Sequence, residues 1–449
     1  MALTRAAAEL LPLALGVAAH VHRRPSSLTF AFFDPLTPAG GISAMGGRPL
    51  GTDGAADALA AGFAGPPVGF GGDGGPHAAV TAARTATISG TRTLMTERYP
   101  IMLLSGAMPR VLRVDPADPE LDLIREAADA LRHGSLVAFP TETVYGLGAC
   151  GLREDHVLRL FEAKGRPPTH PLILHVASLA EAERLAGPLS GAGARLAAAL
   201  WPGPLTLVLP RAPQVPRAVT AGLDTMAVRV PAHPIALALA RALGEPIAAP
   251  SANAHTGVSP TTAEHVLRSL GPAVDLVLDG GATSKGIESS VVDVTGARPV
   301  LLRPGSASVA RLRELAPDLE IRAASSVSDT ASRPSPGMAE RHYAPRARVQ
   351  VVAPADLAAS FAGASGEGRR VAVCAWSDAA RSWAAARTSG PDDCIYMLSS
   401  SPEAYGASLY AVLHDVDARG YDELVIEAVP DGEPWLAVRD RLRRAAAEA

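Results

Sequence analysis

The sequence predicts an α/β protein: a twisted mixed-sheet domain, then a smaller Rossmann-like α/β domain, with a disordered N-terminal extension. Three observations support this class. From Met108 onward, short apolar runs that fit strands alternate with segments of helical periodicity. Residues 323–336, rich in Ser, Ala and Pro, divide that part of the chain in two. The 449 residues also exceed the roughly 100–200 residues of a single domain.

The first 107 residues carry no such pattern. Gly-Pro clusters at 65–67 and 71–76 interrupt them, and no periodicity persists. They predict a low-complexity extension, disordered or included by a misassigned start codon. Residues 6–19 are apolar, but Glu9 interrupts them and no clean small-residue cleavage site follows. We therefore expect a cytoplasmic protein without a signal peptide or membrane segment.

The first folded domain is predicted over residues 108–322. Residues 118–134 predict an amphipathic helix, because Pro119 opens an apolar repeat of helical spacing and Gly134 closes it. Residues 135–139 predict a strand, and residues 140–148 predict a glycine-containing loop. Further helices are predicted at 154–164, 179–186, 192–200 and 235–243, and from Thr262, with Thr261 and Glu264 as a capping box. Further strands are predicted at 172–176, 205–209, 226–230, 246–249, 276–278, 291–294 and 300–302.

The second folded domain is predicted over residues 348–449, after a linker at 323–347. Strands at 349–352, 370–375, 394–398 and 423–426 alternate with helices, which predicts a small doubly wound sheet. The linker contains Arg341, His342 and Tyr343, which are polar and aromatic where a plain spacer would be neither. The linker is therefore predicted to act as a lid.

Composition excludes several classes of function. The net charge of −4 and the pI near 6.3 provide no strong global field toward nucleic acid or an anionic membrane, although they leave room for a local basic cleft. Cys150, Cys374 and Cys394 are far apart, odd in number and free of C-x-x-C spacing, so neither a disulfide framework nor a zinc site is indicated. The chain also lacks a P-loop and an H-E-x-x-H motif.

Two residue types are conspicuously rare. Asn253 is the only asparagine, and Lys164 and Lys285 are the only lysines among 41 basic residues. The abundance of Ala, Gly, Pro and Arg is typical of a GC-rich coding bias, which replaces Lys and Asn wherever the change is harmless. Because lysine is a compact point charge and arginine a planar fork, a lone lysine near Arg166 indicates a chemical need. For Lys285, in a glycine-rich loop, drift explains its survival as well as function does.

Polar residues follow several predicted strands, where open α/β sheets bind ligands. Thr141, Glu142 and Thr143 follow the first of these strands, where they either face a ligand or satisfy the amides of a turn. Lys164 and Arg166 follow a helix, where they fit a triphosphate or cap the helix dipole.

Other candidate groups lie further along the chain. Arg229 lies within an apolar strand, so it must meet a ligand anion or form a buried structural ion pair. Ser251, Asn253 and Ser259 precede a predicted helix, and together with its N-terminus they form an anion cradle. Loops 286–290 and 302–305 complete the set of candidates.

These motifs, taken together, resemble one family. The ordered segments PTETVYGLGA, KGRP, HPLILHV, WPGPLTLVL, AVRVPAHP, APSANAHTGVSPT, GIESSVVD and LLRPG resemble the YrdC-like threonylcarbamoyl-AMP synthases. The segment SPGMAERHYAP and the α/β tail resemble their long, two-domain form. The resemblance runs from about Val111 to near the C-terminus and leaves the first 107 residues unmatched.

The resemblance implies a YrdC-like fold and a reaction. L-threonine, bicarbonate or CO2, and ATP would give L-threonylcarbamoyladenylate and pyrophosphate. The product would supply N6-threonylcarbamoyladenosine in tRNA, with partner proteins of the pathway making the transfer. Position within the motifs implies that threonine is held by Thr143, His175, Arg229, Ala249 and Ser289. The same reasoning implies that ATP is held by Lys164, Arg166, His170, Thr225, Ser251, Asn253, Ser259, Arg303 and Tyr343, of which Lys164, Arg166, Ser251 and Asn253 are the catalytic candidates.

The chemistry of the reaction agrees with this residue set. The carbamate of threonine must attack the α-phosphorus in line with departing pyrophosphate, which demands positioning and charge neutralisation more than a protein nucleophile. Arg229 suits the amino-acid carboxylate, and Lys164, Arg166 and Arg303 suit the phosphates, with Mg²⁺ entering alongside ATP. No general base is evident, and Glu142 is the candidate. His170 stands where the family commonly has asparagine, and Ser290 where it has threonine.

Two rival functions use a similar fold. One is a double-stranded RNA-binding module, which the acidic charge balance disfavours as the main activity while leaving a weak RNA contact open. The other is a carbamoyl-adenylate-handling domain of hydrogenase maturation. That class usually carries acylphosphatase-like and zinc-finger segments, which this sequence lacks.

Overall fold

The structure is a computed structural model. It describes residues 108–322, 341–387 and 394–447, together with the backbone of two strands between residues 18 and 33. The predictions for the rest of the N-terminal extension, and for the linker at 323–340, lie outside the described residues.

Two strands are described within the N-terminal extension. Strands β1 (Ala18–Arg24) and β2 (Ser27–Phe33) pair antiparallel, and β1 pairs antiparallel with the strand Cys394–Met397. The segment SLTFAFF alternates large apolar residues with smaller ones, a pattern typical of strands.

An eleven-stranded mixed sheet forms the first domain, in the order β13-β12-β11-β7-β8-β6-β9-β5-β4-β10-β3. Its strands are β3 Arg110–Arg113, β4 Val137–Pro140, β5 Tyr145–Cys150, β6 Ile173–His175, β7 Leu205–Pro210, β8 Thr225–Arg229, β9 Ile247–Ala248, β10 Leu276–Asp279, β11 Ser290–Asp293, β12 Val300–Arg303 and β13 Glu320–Ile321. Its helices are α1 Leu121–Arg132, α2 Glu154–Lys164, α3 Leu179–Ala186, α4 Gly191–Leu200, α5 Arg217–Thr220, α6 Pro234–Leu243, α7 Ala263–Leu270 and α8 Val309–Leu315.

Helices cover both faces of this sheet. Along β4, Val137 and Phe139 pack with the buried residues of α1 and α6. The alternating neighbour Ala138 belongs instead to a cluster that includes buried residues of α2, α4, α7 and α8. This alternation follows from strand geometry, in which successive side chains point to opposite faces.

Two local predictions need correction. Residues 140–148 are predicted as one loop, but Tyr145–Cys150 forms β5, antiparallel to β4. Glycine is rare in strands, yet a Cβ on Gly148 would lie 2.9 Å from side-chain atoms of Ile247 and Phe139, so only glycine fits this crowded place. At α7, the capping hydroxyl is that of Thr262, which accepts from the amide of His265, rather than that of Thr261.

The second sheet has six strands, four of them parallel. Strands β14 (Arg348–Val352), β15 (Val371–Ala375), β16 (Cys394–Met397) and β17 (Glu423–Glu427) follow the order β14-β17-β15-β16, and β1 and β2 extend the sheet beyond β16. Its helices are α9 Leu357–Gly366, α10 Asp378–Ala386, α11 Pro402–Arg419 and α12 Leu436–Ala445. The predicted α/β class with two sheets is confirmed. None of the helices in the described ranges is long and apolar enough to span a membrane.

Candidate active site

A cavity with about 520 Å³ of empty volume collects most of the predicted site residues. The predicted residues that line it are Thr143, Arg166, His175, Arg229, Ala249, Ser251, Ser289, Arg303 and Tyr343. These residues come from separate strand ends and loops, so the sheet brings both predicted substrate sets to one place.

Arg229, at the end of β8, is buried and held on three sides. Its Nη1 donates to the Thr143 hydroxyl at 2.9 Å, and its Nε donates to the Gly203 carbonyl at 3.2 Å. Its Nη2 lies 2.7 Å from Oε1 of Glu142. Of the two alternatives for this strand arginine, a ligand anion or a buried structural ion pair, the structure shows the ion pair, and its partner is Glu142. This ion pair gives Glu142 the role of orienting Arg229, because Glu142 is not among the residues that line the cavity.

The threonine-rich turn after β4 satisfies its own amides and also contributes to the cavity wall. The Thr141 hydroxyl donates to the Val144 carbonyl at 2.6 Å and accepts from the amides of Thr143 and Val144. Thr141 therefore closes the turn. That leaves the Thr143 hydroxyl to meet Arg229 at the cavity wall.

His175 faces the cavity as a neutral imidazole. It lies opposite Arg229 in the parallel pairing of β6 with β8. Burial, and then the positive charge of Arg229, lower the pKa of His175 to about 3. Its Nδ1 is buried and makes no hydrogen bond within the described part of the chain. A neutral ring in this position can bind a substrate group by hydrogen bonding without adding charge.

Lys164 lies behind the cavity, at the end of α2, and holds the loop that contains Ser251. Its Nζ donates to the backbone carbonyls of Ser251 and Asn253. Gly165, with φ of 60°, ends the helix in the left-handed conformation and turns the chain toward Arg166. Burial, and secondly the charge of Arg166, lower the pKa of Lys164 well below its usual value.

The only asparagine closes a turn next to this lysine. The Asn253 amide nitrogen donates to the carbonyls of Ala254 and Gly257, each at 2.8 Å. Its Oδ1 is buried and has no hydrogen-bond partner among the described residues. The carboxamide therefore shapes the loop that follows Ser251.

Ser289 and Arg303 form a second polar wall. Nε and Nη2 of Arg303 donate to the Ser289 carbonyl at 3.2 and 2.9 Å, and the Ser289 hydroxyl lies 2.8 Å from that of Thr206. Gly305 lets the two loops meet, because a Cβ there would lie 2.4 Å from the carbonyl oxygen of Glu288.

Tyr343 extends this wall from the segment between the two domains. The residue has a φ of 62°, which is rare for a residue other than glycine and is typical of functional sites. Its ring packs 4.0 Å from that of His342 and 5.6 Å from that of Tyr410, measured between centroids. Its hydroxyl is buried and makes no hydrogen bond in the described ranges. The ring is thus fixed while its polar end is available at the cavity.

Five predicted ATP-binding residues do not line the cavity itself. Lys164 and Asn253 lie directly behind it, as described above. Ser259 is separated from the cavity by the side chain of Glu288: its hydroxyl donates to Glu288 at 2.7 Å, and Glu288 lines the cavity. His170 is buried with its ring 5.2 Å from that of His255. Thr225 begins β8, at the strand end opposite to Arg229.

Sequence reasoning missed three residues of this region. Glu288 was part of a candidate loop, but no role was predicted for it. Tyr410 and Arg441 were not candidates, although both donate hydrogen bonds to the Glu288 carboxylate. Arg441 lies in the arginine-rich helix α12, a pattern that usually indicates a solvated face. No signal in the sequence marks it as buried.

Comparison with known proteins agrees with this geometry. A family model described as telomere recombination matches residues 129–305, and one described as the threonylcarbamoyl-AMP synthase C-terminal domain matches residues 307–447. The threonylcarbamoyl-AMP synthase of Pyrococcus abyssi is 43% identical over 333 residues, which are 72% of this chain and 93% of that protein. The chain belongs to the threonylcarbamoyl-AMP synthase family. The Bacillus subtilis threonylcarbamoyl-AMP synthase is 40% identical over 338 residues, 73% of this chain and 93% of that protein.

A solved member of the threonylcarbamoyl-AMP synthase family supports the fold. The crystal structure of P. abyssi Sua5 complexed with L-threonine is 41% identical to this chain, with a TM-score of 0.68, covering 75% of this chain and 97% of that one. The predicted resemblance is thus confirmed, and the chain is an enzyme. Because the match to threonylcarbamoyl-AMP synthases extends through both domains, the RNA-binding and hydrogenase-maturation alternatives are not favoured.

Proposed function

We propose that the cavity binds L-threonine and ATP side by side and, with bicarbonate or CO2, forms threonylcarbamoyl-AMP and pyrophosphate. One observation carries the proposal: residues assigned to threonine and residues assigned to ATP line a single cavity. Among the described residues that line the cavity, Arg166, Arg229 and Arg303 are cationic and Glu288 is the one carboxylate, while Glu142 pairs with Arg229 from behind the wall. Such a surface favours anionic substrates.

Arg229, Thr143 and His175 are the proposed threonine-binding group. The guanidinium of Arg229, fixed by Glu142 and Thr143, fits the amino-acid carboxylate. The neutral ring of His175 accepts a hydrogen bond from the amine without repelling it. Because its pKa lies near 3, His175 orients the amine and does not act as the general base.

Arg166, Ser251, Arg303 and Tyr343 are the proposed nucleotide-binding group, with Lys164 and Asn253 fixing the loop of Ser251. The carbamate oxygen attacks the α-phosphorus while pyrophosphate leaves, so negative charge accumulates on the leaving group. Fixed cations lower that barrier without reorganising during the reaction. The side chains therefore act by positioning and charge, and none forms a covalent intermediate.

The residues present do not form a resident Mg²⁺ site. Magnesium usually binds one or two carboxylates together with substrate phosphates. Among the described residues that line the cavity, Glu288 is the only carboxylate, and its oxygens already accept from Ser259, Tyr410 and Arg441. Magnesium is therefore proposed to enter bound to the phosphates of ATP, as part of the substrate.

The product would be an activated carbamoyl adenylate. We propose that it is consumed by partner proteins that transfer the threonylcarbamoyl group to N6 of an adenosine in tRNA. The net charge of −4 does not favour tight RNA binding by this chain alone, so any contact with tRNA is expected to be weak.

The test is release of pyrophosphate from ATP by the purified full-length chain. Release should require both L-threonine and bicarbonate, and the adenylate should be detected as the second product. ATP turnover that is indifferent to threonine, or tight RNA binding without turnover, would overturn the proposal and favour one of the two rival classes.

A further inference from the structure

Glu288 lies where the two domains meet, and both domains bind its carboxylate. The residue is buried on the cavity wall, just before β11. From the first domain, Ser259 donates to Oε1. From the second domain, Tyr410 of α11 donates to Oε2 at 3.0 Å, and Arg441 of α12 donates to Oε2 through Nε and Nη2, each at 3.1 Å. In the described part of the chain, two of the three side chains that donate to this carboxylate therefore belong to the other domain.

Close backbone packing accompanies these bonds. A Cβ on Gly286 would lie 2.4 Å from the carbonyl oxygen of Ala407 in α11. A Cβ on Gly406 would lie 3.3 Å from the side chain of Ile287. Helix α11 is thus in direct contact with the loop that carries Glu288 and Ser289. That loop cannot shift independently of the second domain.

Arg441 reaches two further parts of the cavity wall. Its Nη1 donates to the Pro304 carbonyl, next to Arg303, and its guanidinium lies over the ring of Tyr343, 5.4 Å from the centroid. Its side chain is fully buried, but it does not line the cavity. Any effect of Arg441 on substrates must therefore act through the residues that it holds.

The charge of Glu288 explains why such an arrangement is needed. A buried carboxylate beside a triphosphate would repel it and would compete for the guanidinium of Arg303. When the carboxylate is paired with a cation of the protein, its charge is balanced, so it neither repels the triphosphate nor competes for Arg303. Removal of one partner from a buried pair leaves an uncompensated charge.

We propose that Arg441, assisted by Tyr410, is a positioning residue that neutralises Glu288 and so keeps the cavity able to accept the triphosphate of ATP. The inference rests on the proposed function, because ATP is the anion concerned. The second domain thereby contributes directly to substrate binding, since its last helix supplies the countercharge for a carboxylate in the wall of the first domain's cavity.

Arg441→Met is the decisive substitution, because it keeps much of the side-chain volume and removes the charge. We expect the KM for ATP to rise at least about 30-fold, with a smaller change in kcat and in the KM for L-threonine. Glu288→Gln in the Arg441→Met background removes the unbalanced charge. The double variant should recover to within roughly threefold of the KM of Glu288→Gln alone. If it remains as impaired as Arg441→Met, Arg441 acts by packing on Tyr343 and the proposal is wrong.

A milder variant covers the case in which Arg441→Met does not fold, as judged by circular dichroism. Tyr410→Phe removes only the hydroxyl that donates to Glu288, and it should raise the KM for ATP by about 3- to 10-fold. An unchanged KM would overturn the proposal.

Calorimetric binding of a non-hydrolysable ATP analogue to the same variants separates this inference from the proposed reaction. If the wild type binds the analogue but releases no pyrophosphate with threonine, the reaction is wrong. The analogue's affinity across the variants would then still decide the role of Arg441.

Discussion

Replacement of Lys164 by arginine should abolish most of the pyrophosphate release, although it conserves the charge. Lys164 is buried, and its side-chain nitrogen donates to two carbonyls of the loop that carries Ser251. A guanidinium is larger and planar, and it cannot make the same two contacts from the same backbone position. The substitution therefore tests whether the rarity of lysine in this chain reflects a chemical need.

The structure sets the expected magnitude. Insertion of extra atoms into a filled, buried place costs about 1–3 kcal/mol. If that strain displaces the Ser251 loop, the same free energy raises the activation barrier, which corresponds to a loss of about 5- to 150-fold in rate. Burial also lowers the pKa of Lys164, whereas arginine cannot lose its proton, so the guanidinium must stay charged in a desolvated site.

The assay is threonine-dependent pyrophosphate release at saturating ATP, with thermal unfolding as the check on folding. Lys285→Arg is the matched control, because Lys285 is the other lysine and its side chain is exposed. We expect Lys285→Arg to retain wild-type turnover. Near-normal turnover of Lys164→Arg would refute the reasoning and would make Lys164 a chance survivor of the coding bias.

Three further predictions follow from contacts in and around the cavity. In Arg229→Lys, the lysine cannot contact Thr143, Gly203 and Glu142 together. The KM for L-threonine should therefore rise by about 30-fold or more in a threonine titration. A rise below about threefold would contradict the assigned role. Gly305→Ala places a Cβ 2.4 Å from the Glu288 carbonyl and should reduce pyrophosphate release at least about tenfold. Gly296→Ala is the control: the nearest atom to its Cβ would be 3.7 Å away, so pyrophosphate release should not change. His265 and His414 stack on each other, and burial lowers their pKa values to about 2 and about 4. Below pH 6.5 both imidazoles therefore bind protons in the unfolded chain but stay neutral in the folded chain. The free energy of unfolding, measured in urea titrations, should therefore fall as pH falls from about 6.5 to 4. His414→Gln should reduce the slope of this free energy against pH by up to about 1.4 kcal/mol per pH unit. An unchanged slope would contradict this.

Local signals allowed much of the fold to be predicted. Helix α2 has the predicted bounds because an apolar repeat ends at Gly165, whose left-handed conformation stops the helix. Strand β5 was missed because its glycines lower strand propensity, and what favours them is a crowded contact with Phe139 and Ile247. The crowding becomes visible only when distant segments are in place.

The same limit applies to the cavity. The burial of Arg229 required an anionic partner, and Glu142 was already a candidate nearby, but the sequence could not say that the two pair. The match of Arg441 to Glu288 joins residues 153 positions apart in different domains. No periodicity or spacing encodes such a pair, so the sequence predicted the cations of the site but not the countercharge behind it.

The N-terminal hairpin has a consequence for any shortened form of the protein. Strand β1 occupies the side of β16 that does not pair with β15. A chain that begins at Met108 would leave the amides and carbonyls on that side without a neighbour, along the apolar segment CIYM. Exposed edge strands with unpaired backbone groups tend to pair with strands of other chains. Self-association of a shortened enzyme would thus reflect a lost cover strand rather than a damaged catalytic centre.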